Sequence, residues 1–489
     1  MLTVLLLAIM PTAEAAGYYT TDIGTRGMSR GGAYIAGNRD LSAQFYNPAA
    51  LINLQRPQIY INWSLVDQSV EFTRMDVDGA GEVTKTYDPV NNQAKPMQIP
   101  AFGVAHHFGL KDAMFAFGMF PPFAPDMEYP KDGAQRYTLI DSLIWEVNAG
   151  PSVAYRPLPW LTIGGTFMWN LVRAEQNLNA NVCNALVEAG ATPDSSCGNY
   201  TADEVDLTVD LKMMDKSTFT GNFGLLIEPT DRLKIGLSVE PPMKVEGKGE
   251  LSAEFSQEHW LTEFLADTKT KDDDVNVTLT MPFIARLGVA MDAMEGLQVE
   301  VATVYERWQV NDAIRVTDLR LELQPVNPLA GEDDPAMDPL VIDDDVLLPA
   351  DYVDTFSYRL GTEYDLGEVA SLRAGGWYEQ SAIPPETQGV NLVDGEKFGY
   401  GLGGSYHWKK RLSLDIGFAQ SFIAERKIRD SQLKQLRIPL ELDLVKILNN
   451  EPLEATLGDG DTVGNGNFSA TTTMMSAGLT VYFGKDTAQ

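Results

Sequence analysis

The sequence predicts an all-β fold: a transmembrane antiparallel β-barrel of about fourteen strands, set in the bacterial outer membrane. Three observations predict it. From Gln58 onward, fourteen strand-like runs are joined alternately by tight turns and long connections. Within the runs, apolar and polar residues alternate. The chain opens with an export signal. Short turns at one end, long loops at the other and an even strand number are the sequence form of an outer-membrane barrel.

The elements follow in order. Leu2–Met10 is an apolar run and Ala13-Glu14-Ala15 an A-x-A cleavage site, so residues 1–15 read as a signal peptide and the mature chain as starting at Ala16. No Lys or Arg precedes the apolar run, which places the expected translation start further upstream. Residues 16–57 hold no run of strand length, the barrel is expected over 58–484, and 485–489 form a tail. Six short joints separate strands: Leu110–Asp112, Arg156–Pro159, Pro229–Asp231, Asp292–Gly296, Leu366–Val369 and Lys409–Arg411. Seven long connections lie at roughly 72–97, 121–143, 175–216, 251–274, 313–354, 382–397 and 429–470. With the first strand starting at the periplasm, these face outward.

Residues alternate sides along a strand, so parity separates a lipid-facing set from a lumen-facing set. The seventh run sets Leu233, Ile235, Leu237 and Val239 against Lys234, Gly236, Ser238 and Glu240. The ninth sets Leu297, Val299, Val301, Thr303 and Tyr305 against Gln298, Glu300, Ala302 and Glu306. The tenth sets Phe356, Tyr358, Leu360 and Tyr364 against Ser357, Arg359, Gly361 and Glu363, and the thirteenth sets Leu412, Leu414, Ile416 and Phe418 against Ser413, Asp415, Gly417 and Ala419. Aromatic residues cluster near strand ends, as interfacial girdles require. Inward Arg286, Arg359, Arg373, Glu300, Glu363 and Asp415 then line a polar lumen. Glu363 and Arg373 fall near one another across the Leu366–Val369 turn. Two readings stand: an ion-paired wall, or a site where Arg286, Arg359 and Arg373 receive a ligand carboxylate.

Composition excludes other classes. Mean hydropathy is −0.15, and beyond the N-terminus no apolar stretch approaches the ~20 residues of a membrane helix. A barrel strand shows only one face to lipid, so modest hydropathy suits it. The net charge of −31 excludes nucleic-acid binding, which needs a basic footprint. The acidic runs Asp272-Asp273-Asp274, Glu332-Asp333-Asp334 and Asp343-Asp344-Asp345 read as solvated loops or as weak sites for divalent cations. Cys183 and Cys197, the chain's two cysteines, share one long connection; in an exported protein they predict a disulfide. No histidine shares that segment to make a metal site, no nucleotide-binding loop occurs, and no cofactor is expected.

The pre-barrel segment carries the most specific motifs. It reads Gly24-Thr25-Arg26-Gly27-Met28-Ser29-Arg30-Gly31-Gly32-Ala33-Tyr34, then Asp40-Leu41-Ser42-Ala43-Gln44-Phe45-Tyr46-Asn47-Pro48-Ala49-Ala50-Leu51. With Glu228-Pro229-Thr230-Asp231-Arg232-Leu233, Met281-Pro282, Arg307-Trp308, Leu360-Gly361-Thr362-Glu363-Tyr364 and Leu372-Arg373-Ala374-Gly375-Gly376-Trp377-Tyr378, it resembles the FadL/TodX family of outer-membrane transporters for hydrophobic compounds. The resemblance spans the whole mature chain. It implies that residues 16–57 form a hatch, with Asn47, Pro48 and Ala49 as its motif, inside a fourteen-stranded barrel. It implies passive transport of a fatty acid or hydrocarbon, a monomer surrounded by outer-membrane lipid and lipopolysaccharide, and extracellular loops that offer the ligand an apolar groove.

Two further stretches bear on that function. Trp260, Leu261, Phe264 and Leu265 stand at helical spacing in the fourth long connection, as a ligand-capture helix or as a loop helix packing on its neighbour. Pro121 and Pro122 follow the third strand. Proline cannot donate to a ladder, so they kink that strand toward a lateral exit or simply begin the loop. One competing class is an outer-membrane lipid hydrolase, since Gly27-Met28-Ser29-Arg30-Gly31 matches a nucleophile elbow. That chemistry needs a strand before the serine, a helix after it, and a downstream acid and histidine. A hatch also weighs against the other alternative, an adhesin or open porin. If Cys183 and Cys197 are bonded, alkylation without reductant adds no mass to the intact protein, whereas two labelled thiols remove the disulfide.

Overall fold

The computed structural model describes residues 22–123, 125–181, 206–255, 265–266, 268–269, 275–318, 321–325, 340–342, 345–437 and 458–484. The expected signal peptide, Cys183, Cys197, Trp260, Leu261, Phe264 and the tail lie outside them. Fourteen strands close a barrel: β1 Gln58–Val77, β2 Met97–His106, β3 Ala113–Phe123, β4 Asp141–Leu158, β5 Leu161–Asn181 and β6 Asp206–Thr230. β7 is Leu233–Glu240 continued by Met243–Phe255, and β8 is Val275–Met281 continued by Phe283–Met294. Then follow β9 Leu297–Arg307, β10 Thr355–Leu366, β11 Ala370–Glu379, β12 Lys397–Trp408, β13 Leu412–Ile428 and β14 Gly466–Tyr482. Each pairs antiparallel with its neighbours. β1 meets β14 from Gln58↔Tyr482 to Arg74↔Gly466, which removes the sheet's edges. The interruptions in β7 and β8 fall at Pro241-Pro242 and Pro282, where a residue without an N–H cannot continue the ladder.

The parity reading holds. Leu360 and Ile416 stand 51% and 70% exposed on the outside, while Arg359, Glu363 and Asp415 between them are buried. Each of the six short joints falls at a turn, although β4 and β6 run on to Leu158 and Thr230 before theirs. The long connections are shorter than expected, because several strands run on past the apolar band. The described parts of the expected connection 175–216 are strand: β5 continues to Asn181 and β6 begins at Asp206. There Val172, Val209 and Met213 still point inward, but the outer face carries Arg173, Glu175, Asp210 and Lys212. A strand whose outer face meets water rather than lipid loses its apolar half, and so reads as loop.

Segment 22–57 sits inside the barrel. It comprises α1 Thr25–Ser29, α2 Ala43–Tyr46 and a 3₁₀ turn Pro48–Asn53, with most of its side chains buried. Its hydrogen bonds reach Asn62 of β1, Gly150 of β4, Leu225 of β6, Glu300 of β9, Arg359 of β10 and Asp415 of β13, so it spans the lumen.

The lipid face yields a quantitative expectation. Leu360→Arg, which puts a cation into hydrocarbon, should destabilise the barrel by about 2–4 kcal/mol. Equilibrium refolding into lipid vesicles measures this, and the folded fraction is read from the gel shift between boiled and unboiled samples.

Candidate functional site

The lumen is built in two layers. The lower one is ionic. Glu300, 0% exposed, accepts the backbone N–H groups of Ile35, Ala36 and Gly37 at 2.6, 2.8 and 2.9 Å. Arg30 reaches Gln298, Glu363 and Glu300 at 3.0, 3.3 and 3.4 Å. Arg26 bonds Asp415 at 3.0 Å and Ser413 at 2.9 Å. Arg359 joins Asp22 at 2.6 Å to Glu379 at 3.1 Å, and Arg373 pairs with Glu363 at 3.1 Å. Arg286 pairs with Glu240 at 3.3 Å and lies over the Phe45 ring. Each arginine singled out as a ligand contact is thus held by a carboxylate of the protein itself, which is the ion-paired wall. Two of them engage segment 22–57 directly: Arg359 through Asp22, and Arg286 through Phe45.

The Asn47-Pro48-Ala49 turn is fixed against the wall. Asn47 Nδ2 donates to the Leu225 carbonyl at 3.0 Å and the Ile35 carbonyl at 3.2 Å, while its Oδ1 accepts from Ala49 N–H at 3.1 Å. A Cβ on Gly224 would lie 2.0 Å from Asn47 Oδ1, and one on Gly164 2.2 Å from Ala49 N. The same close approach brings α1 onto β11 and β12, at Gly375 and Gly401. Sequence reading named the turn but not these wall glycines. Only the fold shows that they face it.

The upper layer is apolar. Inward side chains Val172, Met213, Met243, Val245, Val277 and Met281 pack with Trp308 and Tyr352. Residues 380–396, which join β11 to β12, fold over them as a roof. Ala382, Ile383 and Leu392 enter this cluster, while Val390 and Val393 join the stacked pair Phe72 and Phe468. Asp394 holds the roof by accepting Ala382 N–H at 2.8 Å and pairing with Lys397 at 2.7 Å. Burial pushes its carboxyl above the ordinary carboxylate range, and the Lys397 ammonium opposes that. Arg426 donates to the Ile383 carbonyl at 2.7 Å and Tyr129 to that of Val390 at 3.1 Å. Methionine side chains adapt to ligands of different shape. Below the roof, Met97, Ile99, Trp145 and Trp377 carry the apolar lining toward β2.

There the wall changes. The β2–β3 ladder runs from His106↔Phe115 to Phe102↔Met119 and, among the described residues, goes no further. Met97–Ala101 pair on their other side with β1. On the far side, the β3–β4 register shifts between Phe120 and Phe123, at Pro121-Pro122. The prolines therefore lie inside β3 at an irregularity, rather than at the start of a loop. Phe120 turns inward beside Tyr60.

Other expected sites fall elsewhere. Leu265 belongs to a two-residue strand, Leu265–Ala266, paired with Gln324 and Pro325, and not to a helix. A cross-strand hydrogen-bond partner from the β9–β10 connection outweighs the local helical spacing there. Ser29 ends α1 and donates its hydroxyl to the Thr25 carbonyl at 2.6 Å. His106 ends β2, His107 follows it, and His407 meets Ser371. Of the acidic runs, Asp345 alone is described, with Oδ1 accepting Asp318 N–H.

Glu300→Leu would leave three backbone donors and Arg30 short of their acceptor. The expected loss is about 3–5 kcal/mol, the usual cost of breaking a buried ionic contact. Detergent-resistant folding, together with protease sensitivity of segment 22–57, measures it. Stability equal to wild type would dismiss Glu300 as an anchor.

Comparison with known proteins agrees with this architecture. A family model described as outer membrane protein transport protein (OMPP1/FadL/TodX) matches residues 6–446. Outer membrane protein P1 of Haemophilus influenzae is 21% identical over 451 residues, covering 87% of this chain and 89% of that protein. The crystal structure of a Pseudomonas aeruginosa FadL homologue shares the fold with a TM-score of 0.70 and 15% identity, covering 96% of this chain and all of the other. That of the Pseudomonas putida toluene transporter TodX gives 0.62 and 16%, with 96% and 100% covered.

Proposed function

The chain belongs to the OMPP1/FadL/TodX family of outer-membrane transport proteins, and we propose that it carries hydrophobic compounds passively across the outer membrane, with segment 22–57 as a hatch and a lateral exit between β2 and β3. The observation that carries this reading is the discontinuity after Phe102↔Met119, which lies between an apolar interior above and a plugged lumen below. A plugged lumen does not pass bulk solute. A hydrophobe gains nothing from a straight aqueous pore, because leaving the apolar lining for water costs about 25 cal/mol per Å² of its surface. An opening in the wall instead lets it pass from protein to lipid without crossing water.

The path begins at the cell surface. Ligand meets the extracellular connections, to which Trp260, Leu261, Phe264 and Leu265 belong, and enters the methionine-lined interior under residues 380–396. It descends past Met97 and Ile99 and leaves beside Phe120. The toluene transporter among the solved relatives supports a hydrophobic cargo. Long-chain fatty acids, alkanes and aromatics all fit that description. The ion-paired arginines serve the hatch in this reading.

The hatch motif gives the test. Replacing Asn47 and Pro48 together with alanine frees the turn, because Pro48 fixes its own backbone and restricts Asn47. Uptake of a radiolabelled hydrophobe by cells carrying the variant should then change severalfold, at equal surface expression. Unchanged uptake in correctly assembled barrels would reduce the motif to packing and remove the gate.

A further inference from the structure

We propose that the wall beside the β2–β3 discontinuity holds a binding site for the polar end of an uncharged, hydrogen-bond-donating hydrophobe, a long-chain alcohol or phenol, and that it disfavours the corresponding carboxylate. This rests on the transport reading and names the substrate class for its exit.

The site lies on β4, β5 and β6, directly behind the irregular part of β3. Phe120 is opposite Asn148 and Phe123 opposite Glu146. Asn148 in turn faces Asn170, and Thr220 stands opposite Met168, two residues before Asn170 on the same face. Glu146, Asn148, Asn170 and Gln44 are 4%, 4%, 0% and 2% exposed. Four buried oxygens lack a hydrogen-bond partner here: Gln44 Oε1, Asn148 Oδ1, Asn170 Oδ1 and Thr220 Oγ1. Two of the amides are oriented by their own donors. Gln44 Nε2 bonds the Gly150 carbonyl at 2.9 Å, and Asn170 Nδ2 bonds the Met168 and Thr218 carbonyls at 3.4 Å. Their oxygens are therefore left as acceptors. Glu146 forms no ion pair among the described residues.

The row thus offers the lone pairs of three amide oxygens, the Thr220 hydroxyl and one carboxyl group. Arg286, Arg359 and Arg373 are engaged with Glu240, with Asp22 and Glu379, and with Glu363. A ligand hydroxyl supplies the missing donor and can satisfy one of these acceptors. A ligand carboxylate is acceptor-only, so against the three amide oxygens it would set lone pair against lone pair, with its charge unpaired. Height within the barrel fits this role. Asn148 lies one inward position beyond Gly150, which receives Gln44 of the hatch. A chain descending from the apolar interior reaches the row as it turns toward the discontinuity.

The test uses the full chain in a host strain lacking its own outer-membrane hydrophobe transporter. Initial uptake of radiolabelled dodecanol, dodecanoate and dodecane is measured at equal free concentration, minus a vector control. Assembly is checked by the gel shift on boiling. Dodecanol should enter about tenfold faster than dodecanoate, the worth of one hydrogen bond to a buried acceptor. In the double variant Asn148→Leu, Asn170→Leu, the dodecanol-to-dodecane ratio should fall about tenfold. Dodecanoate entering wild type as fast as dodecanol, or a dodecanol-to-dodecane ratio unmoved in the double variant, would overturn the proposal. If assembled wild type takes up none of the three above control, the transport reading itself fails.

Discussion

Glu300 accepting three successive backbone N–H groups is the contact on which much of this structure depends. Ile35, Ala36 and Gly37 cannot use those donors in a helix or a sheet, because the chain there passes through the middle of a barrel. Buried backbone donors must find acceptors, and a carboxylate on β9 supplies them. Arg30 then balances the charge, and Glu363 and Arg373 extend the pairing along the wall. Segment 22–57 is thus folded by the barrel rather than by a core of its own.

The wall pays for this intimacy in glycine. Gly164 and Gly224 admit the Asn47-Pro48-Ala49 turn, while Gly375 and Gly401 admit α1. A barrel this wide leaves a lumen that side chains alone do not fill, and here backbone packs directly on backbone. Buried ion pairs are weak evidence of stability, since desolvation offsets most of their attraction. What they give here is position. Arg26 and Arg30 meet their wall carboxylates, and Asp22 meets Arg359, only when the segment occupies one place.

Above that layer the chemistry reverses. Methionines, valines and aromatic side chains line the extracellular half, and residues 380–396 close it through hydrogen bonds from Arg426 and Tyr129 to roof carbonyls. An apolar interior over a polar plug gives a hydrophobe no favourable way straight through. The β2–β3 ladder stops at Phe102↔Met119 and the β3–β4 register shifts between Phe120 and Phe123, and the unpartnered acceptors of Gln44, Asn148 and Asn170 stand beside that shift.

The sequence by itself determined the strand number, the turns, the two faces and the compartment, because period-two alternation and turn chemistry are local properties. It also placed Glu363 against Arg373, since a tight turn fixes the register of the strands it joins. It underestimated β5 and β6, whose upper parts face water with charged side chains. It read a helix at Leu265 where a partner more than fifty residues away makes a strand. Only the tertiary structure decided which carboxylates Arg26 and Arg30 meet, because Arg26 and Asp415, or Arg30 and Glu300, are brought together by barrel closure over hundreds of residues. The fate of Pro121-Pro122 was likewise decided by register. Two prolines forbid pairing at their own positions, but whether a wall opens there depends on where β2 and β4 stand beside them.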